Sequence, residues 1–413
     1  MRKSIIVFSI LCGVIFFGCD SKERPTESST TSTEQAEAED STFTNDQSTD
    51  SILSKPPVNL VDTFYDNFAG LYAGDTNTIK QVIDTAEWPM WLEYSKTFRA
   101  DFIRADNAIR QGVDRWRDSV LNTKIDQSLD LVYLFSGPDV LYPRLFFPDA
   151  QNVYMCALEP VDPLPDYTTF SSARIAQYQQ DMKAAFENIV GDSYYITSFM
   201  TSELRSEVRG VLPMMLVTAK IKGGTIEEVF FFEPNNEGQI DTASSDTASG
   251  VSMKVRYPDN KVQQYIYYSG NLGDEAYGTM MGLDSNQALR TYLNKFPKYN
   301  SFVKAASYIP HMTQDFSYAI DVIAQSESIF QDPTGLSCSM VTKDKERIMY
   351  IMGTMKEGCK PLSHFDWISF DCLIEYYKNN KALILEEPPF KFGYQKRQGA
   401  CAPCFNYQLI VKK

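Results

Sequence analysis

The chain has 413 residues, of which 43% are hydrophobic, 13% aromatic and 22% charged, with 24 Tyr and 26 Phe. That is the composition of a folded globular protein and excludes a wholly disordered one. The net charge of −14 leaves no basic field for a phosphate backbone, so no nucleic-acid partner is expected.

Arg2 and Lys3 precede an apolar run, Ile5 to Phe17, too short to span a bilayer comfortably, and Gly18 and Cys19 close it. This is the layout of a secretory signal peptide, read here as residues 1–18. The ending Phe16-Phe17-Gly18-Cys19 resembles a bacterial lipobox, in which a small residue precedes a lipid-accepting cysteine. Phe16 and Phe17 depart from its usual aliphatic and small residues. The resemblance implies a palmitate-bearing lipoprotein held to the membrane through Cys19. The other readings are a signal peptide cut elsewhere and an uncleaved anchor. Residues 19–57 carry nine acids against three bases and almost no large apolar side chain. Such a stretch cannot offset its conformational entropy and is expected to be a disordered tether. The body is acidic too, so membrane attachment is assigned to the lipid rather than to charge. Asp20 resembles an inner-membrane retention signal of enteric bacteria, whereas a Phe-containing lipobox resembles those of bacteria that do not follow that rule. The outer membrane is the expected address.

The body, residues 58–413, opens with helical spacing at Val61, Phe64, Phe68, Leu71 and Tyr72. Asp75 is placed to cap a second helix, and a longer one starts near Glu87 with Pro89 in its first turn. Leu129 to Phe135 reads as a buried strand, Val140 to Phe147 as a short helix and Asn152 to Leu158 as a second strand. At this length the two strands must be parallel, a βαβ unit. Ser171 to Val190 returns to helix. Val211 to Ala219 and Ile226 to Phe232 read as strands. Residues 234–250 form a polar insertion where the body could divide. A hairpin follows around Pro258-Asp259-Asn260, then helical patterns from Ser285 to about Glu327. A mixed C-terminal part carries a short helix near Leu373 and a last strand from Phe405 to Val411. The expected class is α/β or α+β: a mixed sheet with at least one parallel βαβ unit, a helical N-terminal region and a mixed C-terminal one.

Phe135-Ser136-Gly137-Pro138-Asp139, with Phe147-Pro148-Asp149-Ala150 and Leu158-Glu159-Pro160, resembles a family of bacterial secreted proteins to which no activity is assigned. Lys304-Ala305-Ala306-Ser307-Tyr308 with His311, Asp315-Phe316-Ser317, Gln331-Asp332 with Gly335, and Phe392-Gly393-Tyr394 extend the similarity over most of the body. The resemblance implies secretion and no particular chemistry.

Ser136, Gly137 and Asp139 fall at the carboxyl end of a parallel strand, where open α/β sheets bind ligands. Glu159 ends the next strand, about where a nucleotide-binding fold places its ribose-binding acid. These four are the ligand-site candidates, for a nucleotide or methyl donor at the sharpest. No G-x-G-x-x-G is present, however, and a secreted domain meets few such cofactors, so none is expected. The structural alternative makes Ser136 a helix cap, Pro138 the first helical residue and Asp139 its reciprocal capping partner. With only His311 and His364, a His-rich metal site is excluded and no metal is expected. His311 with Asp315 is the candidate base and its orienting acid; the alternative is a histidine that merely joins two helices. Ser301-Phe-Val-Lys304 matches S-x-x-K without the K-T-G that should accompany it. Of the body's cysteines, Cys338, Cys359, Cys372, Cys401 and Cys404 are disulfide candidates for an oxidising compartment. Cys156, on a buried strand, is expected to stay free. Cys401-Ala-Pro-Cys404 lies too near the C-terminus to belong to a thioredoxin fold. The expected role is a membrane-tethered extracytoplasmic protein that binds a small molecule or a protein partner. The competing expectation is a hydrolase using His311.

Overall fold

Buried apolar runs that lack helical period need partners on both sides, and among the described residues such runs form the centre of one sheet of eleven strands. The computed structural model describes residues 61–413 except 111, 193–206, 246, 275–286, 362–364, 398–403 and 405. Cys19, the signal peptide, the tether, His364 and Cys401 lie outside the described residues. The strands are β1 (Asp130–Leu134), β2 (Asn152–Ala157), β3 (Thr225–Pro234), β4 (Ile240–Thr242), β5 (Gly250–Arg256), β6 (Val262–Ser269), β7 (Tyr299–Val303), β8 (Ser328–Gln331), β9 (Arg347–Gly353), β10 (Ile384–Leu385) and β11 (Asn406–Lys412). Their order is β10-β9-β11-β8-β7-β1-β2-β6-β5-β3-β4.

The expected βαβ unit is present. β1 and β2 pair in parallel from Leu131↔Val153 to Leu134↔Cys156, joined through a helix at Leu141–Phe146. Strands β8, β7, β1, β2 and β6 are parallel throughout. The chain leaves β1 towards β2 and later β6 on one side, then returns to place β7 and β8 on the other. The direction of winding therefore reverses between β1 and β7. Antiparallel strands flank this centre, with β11 between β8 and β9 and with β5 and β3 beyond β6. Both outermost strands, β4 and β10, are very short, which limits edge-to-edge association.

One face carries the larger core. Leu131, Tyr133, Val153, Met155, Phe302 and Phe330 pack there with the helices Thr63–Tyr72, Trp88–Arg110, Ser172–Asp192 and Leu212–Ile221. Alternation turns Tyr299, Ser301 and Val303 to the other face. There the Tyr299 hydroxyl donates to the Val322 carbonyl at 2.7 Å, tying down the helix Ser317–Gln325.

The N-terminal helices form as their spacing predicts, and the Asp75 carboxylate accepts from the backbone N–H of Asn77 and Thr78 at 3.4 and 3.2 Å. Of the residues at helical spacing, Phe68, Leu71 and Tyr72 are buried, whereas Val61 and Phe64 are 42% and 37% exposed. Three further expectations are corrected. Residues 212–221 are a helix, not a strand: the segment is apolar all round, so it has no period to read, and its Leu and Met are good helix formers. The stretch 285–327 is not continuous helix but contains β7. Residues 234–250 do not divide the body, because they complete β3 and form β4 paired to it, and Leu60 to Lys413 is one compact unit.

Candidate functional site

The reversal of winding puts the loops after β1 and β7 side by side at the carboxyl edge of the sheet, the place where doubly wound sheets open a crevice. The backbone is unusual there. Five described residues other than glycine have positive φ, and four belong to these loops: Phe135 (62°), Ala305 (51°), Ser307 (51°) and Tyr308 (58°). Gly137 adds a fifth left-handed position at 55°. Each such non-glycine conformation costs on the order of 1–3 kcal/mol and persists only where its surroundings enforce it.

The enforcement is ionic. Lys304, the first residue after β7, places Nζ 2.6 Å from Oδ2 of Asp139, with the two side chains 2% and 0% exposed. The same ammonium lies 3.9 Å from the ring centroid of Tyr142. Asp139 Oδ2 also accepts from the Tyr133 hydroxyl at 2.9 Å, while Oδ1 accepts from the N–H of Leu141 and Tyr142 at 3.2 and 3.3 Å. Burial, then the Asp139 charge, raise the Tyr133 phenol well above its ordinary pKa, so it stays protonated and donating. Asp332, after β8, accepts from Ala305 N–H at 3.0 Å and from the N–H and hydroxyl of Thr334 at 2.9 and 2.5 Å. Its pKa is raised by burial, an effect opposed by those hydrogen bonds and by Lys304. Thr334 Oγ1 accepts in turn from Ala306 N–H at 2.8 Å. Gly393, in the segment Phe390 to Tyr394, sits directly against Asp332 and Lys304.

The sequence candidates divide. Ser136, Gly137, Asp139 and Glu159 do lie at the carboxyl edge of β1 and β2, yet all four are buried. Ser136 does not cap the helix, whose N-cap residue is Val140, and Pro138 lies outside it. Capping falls to Asp139, because the chain turns left-handed at Gly137 and brings that carboxylate under the first helical N–H groups. The Ser136 hydroxyl is buried without a hydrogen-bond partner among the described residues. Glu159 packs against Tyr267, whose hydroxyl donates to the Glu159 carbonyl at 2.8 Å.

His311 and Asp315 are not brought together. His311 ends a short 3-10 turn, Ile309–His311, its ring edge-on to Tyr308. Its Nε2 is out of solvent without a partner among the described residues, and burial pushes its pKa down to about 4 against the carbonyls of Pro333 and Gly335. The Asp315 pKa is raised by burial and then by Asp274. Ser301 and Lys304, three apart along and just beyond a strand, lie on opposite faces, so S-x-x-K makes no dyad here.

Cys338 pairs with Cys372 and Cys359 with Cys404, at Cα separations of 5.9 and 5.3 Å, and Cys156 is free and buried. Among the described residues no group of three or more His, Cys, Asp or Glu is placed to hold a metal. No described helix is long and apolar enough to cross a membrane. A depression of about 240 Å³ lies at the opposite edge of the sheet, lined by Arg117, Arg144, Lys222 and Lys261 among others. Its charges are largely spoken for: Arg144 pairs with Asp259 at 2.8 Å, Arg117 with Asp114 at 3.0 Å, and Lys261 with Asp149.

Sequence reasoning missed Lys304, Asp332 and Thr334 as one cluster with Asp139. They come from three separate strand ends, and only the sheet order joins them. No protein family, curated protein or solved structure matches this chain.

Proposed function

We propose that the protein is a lipoprotein of the cell envelope, tethered through Cys19, preferentially at the outer membrane, whose body binds a small polar ligand at the carboxyl edge between β1 and β7. The observation that carries the ligand site is the concentration of left-handed residues on the two loops that meet at the reversal of winding. The orphaned Ser136 hydroxyl supports it, since a buried donor without a partner is costly unless something completes it. The two disulfides support folding in an oxidising compartment. Arg2, Lys3 and the run into Gly18-Cys19 support the tether.

Two measurements test this reading. Cys19→Ser should move the protein from the membrane to the soluble fraction or leave it unprocessed; correct processing with unchanged membrane partitioning removes the tether. Native mass spectrometry of the protein isolated from envelopes should show a retained small molecule, at least tenfold depleted in Ser136→Ala. That variant should keep the wild-type melting temperature, because it discards an unpaired hydroxyl rather than a helix cap. Bare polypeptide mass in the wild type removes the ligand.

A further inference from the structure

The loop after β7 contains a hydroxyl, that of Ser307, which pairs with a second hydroxyl rather than with a backbone group. Ser307 is half-buried and left-handed, and it stands on the turn between a central parallel strand and the 3-10 turn Ile309–His311. Enzymes that expose a nucleophilic serine at the top of an α/β sheet hold it on a strained strand-to-helix turn of this kind. The Ser307 hydroxyl is 2.8 Å from the Tyr394 hydroxyl.

The neighbouring main chain is equally distinctive. Ala305 N–H is bound by Asp332, and Ala306 N–H by Thr334. Ser307 and Tyr308 N–H donate no hydrogen bond within the described residues. Two adjacent free donors beside a hydroxyl are the elements of an oxyanion-binding site, where such dipoles stabilise the charge that develops on a carbonyl oxygen under attack. Around them stand rings. Tyr308 lies 4.9 Å from Phe365, and Phe365 stacks on Tyr394 at 6.0 Å. These surroundings suit an uncharged, apolar acyl group.

We propose that Ser307 is the nucleophile of an acyl-transfer site for apolar carboxylic esters, with Tyr394 relaying the proton. Ser307 Oγ forms a bond to the ester carbonyl carbon. Its proton passes to the Tyr394 oxygen, while the Tyr394 proton goes to the leaving alkoxide as the carbon–oxygen bond to the alcohol breaks. The products are acyl-Ser307 and the free alcohol; water then releases the acid by the reverse relay. The site shares its edge of the sheet with the ligand site above but needs neither the tether nor a retained ligand, so the two readings fail separately.

The test is covalent labelling of the full body with a fluorophosphonate, in which Oγ–P forms and fluoride leaves, alongside hydrolysis of p-nitrophenyl butyrate. Wild type should gain one adduct, mapped to the peptide containing Ser307. Ser307→Gly should lose it entirely while keeping or raising the melting temperature, because glycine relieves the left-handed backbone. Tyr394→Phe should slow labelling at least tenfold with the fold intact. Ser301→Ala, which removes the nearby serine of the other sheet face, should label as wild type does. An unlabelled wild type, an adduct on another residue, or full labelling of folded Ser307→Gly overturns the proposal.

Discussion

Lys304→Met removes the cation from a site built to hold it and leaves the side-chain volume nearly unchanged. Removing one partner of a buried ion pair costs about 3–5 kcal/mol, because the charge left behind has lost its counter-ion. In this site the penalty belongs near the lower end. Asp139 keeps three donors after the change: Tyr133 hydroxyl at 2.9 Å and the N–H groups of Leu141 and Tyr142 at 3.2 and 3.3 Å. Asp332 also loses the lysine that lowers its pKa. The expected loss is about 3 kcal/mol at pH 7, read by urea unfolding as a lower midpoint at unchanged m-value. The loss should shrink on acidification, since Asp332, whose pKa burial raises and Lys304 lowers, binds its proton more tightly in the folded variant, and protonation then favours folding. Lys304→Met combined with Asp139→Asn should recover at least about 1 kcal/mol relative to the sum of the single changes. A single-variant loss below about 1 kcal/mol, or strictly additive behaviour, would refute the claim that this pair organises the edge.

His311 gives a pH dependence of definite sign. Its folded pKa of about 4 lies below the ordinary 6.5, so between those values the unfolded chain binds more protons, and stability falls as pH drops through that window. The wild-type decline should exceed that of His311→Gln by about 2–3 kcal/mol from pH 7 to pH 4, measured by denaturant titration at each pH; parallel curves would show that His311 is not desolvated. Gly393→Ala places a methyl against the Asp332 carboxylate at a residue with φ of 58°. Left-handed alanine alone costs about 1–2 kcal/mol, so a loss of about 2 kcal/mol or more is expected by the same assay, and an unchanged midpoint would contradict the close approach.

What could be read in advance follows from which interactions are local. β1 and β2 were legible because each is a continuous apolar run bounded by turn residues, and a short helix between them permits only a parallel crossover. The place of Asp139 at the carboxyl edge follows from that unit; that Asp139, and not Ser136, caps the helix does not. β7 was not legible. It has five residues with Asn300 and Ser301 in the middle; Asn300 is satisfied only by distant partners, and the Ser301 hydroxyl is buried without one among the described residues. Asn300 donates to the Asp126 carbonyl at 2.7 Å, and its own carbonyl accepts from Ser328 at 2.6 Å. A strand held by tertiary pairing carries no periodic signature of its own. The Lys304–Asp139 pair was hidden for the same reason. The local match that did catch the eye, Ser301 to Lys304, spans two faces of the sheet and joins nothing.

The distribution of hydrogen bonds along the β7 loop shows why the ionic cluster and the half-buried Ser307 hydroxyl belong together. Three left-handed residues within four positions would relax to ordinary backbone if nothing held them. Asp332 and Thr334 hold the first two amides, and Lys304, fixed by Asp139, fixes the strand end from which the loop departs. The strain is therefore enforced from the buried side, at Ala305 and Ala306, and expressed two residues later at Ser307 and Tyr308, whose own N–H groups donate to no group among the described residues. A loop selected only for stability would invert that pattern, satisfying its own amides and needing no buried lysine. The buried charges are better understood as the support of the loop than as its chemistry, and any chemistry belongs to the groups they leave unsatisfied.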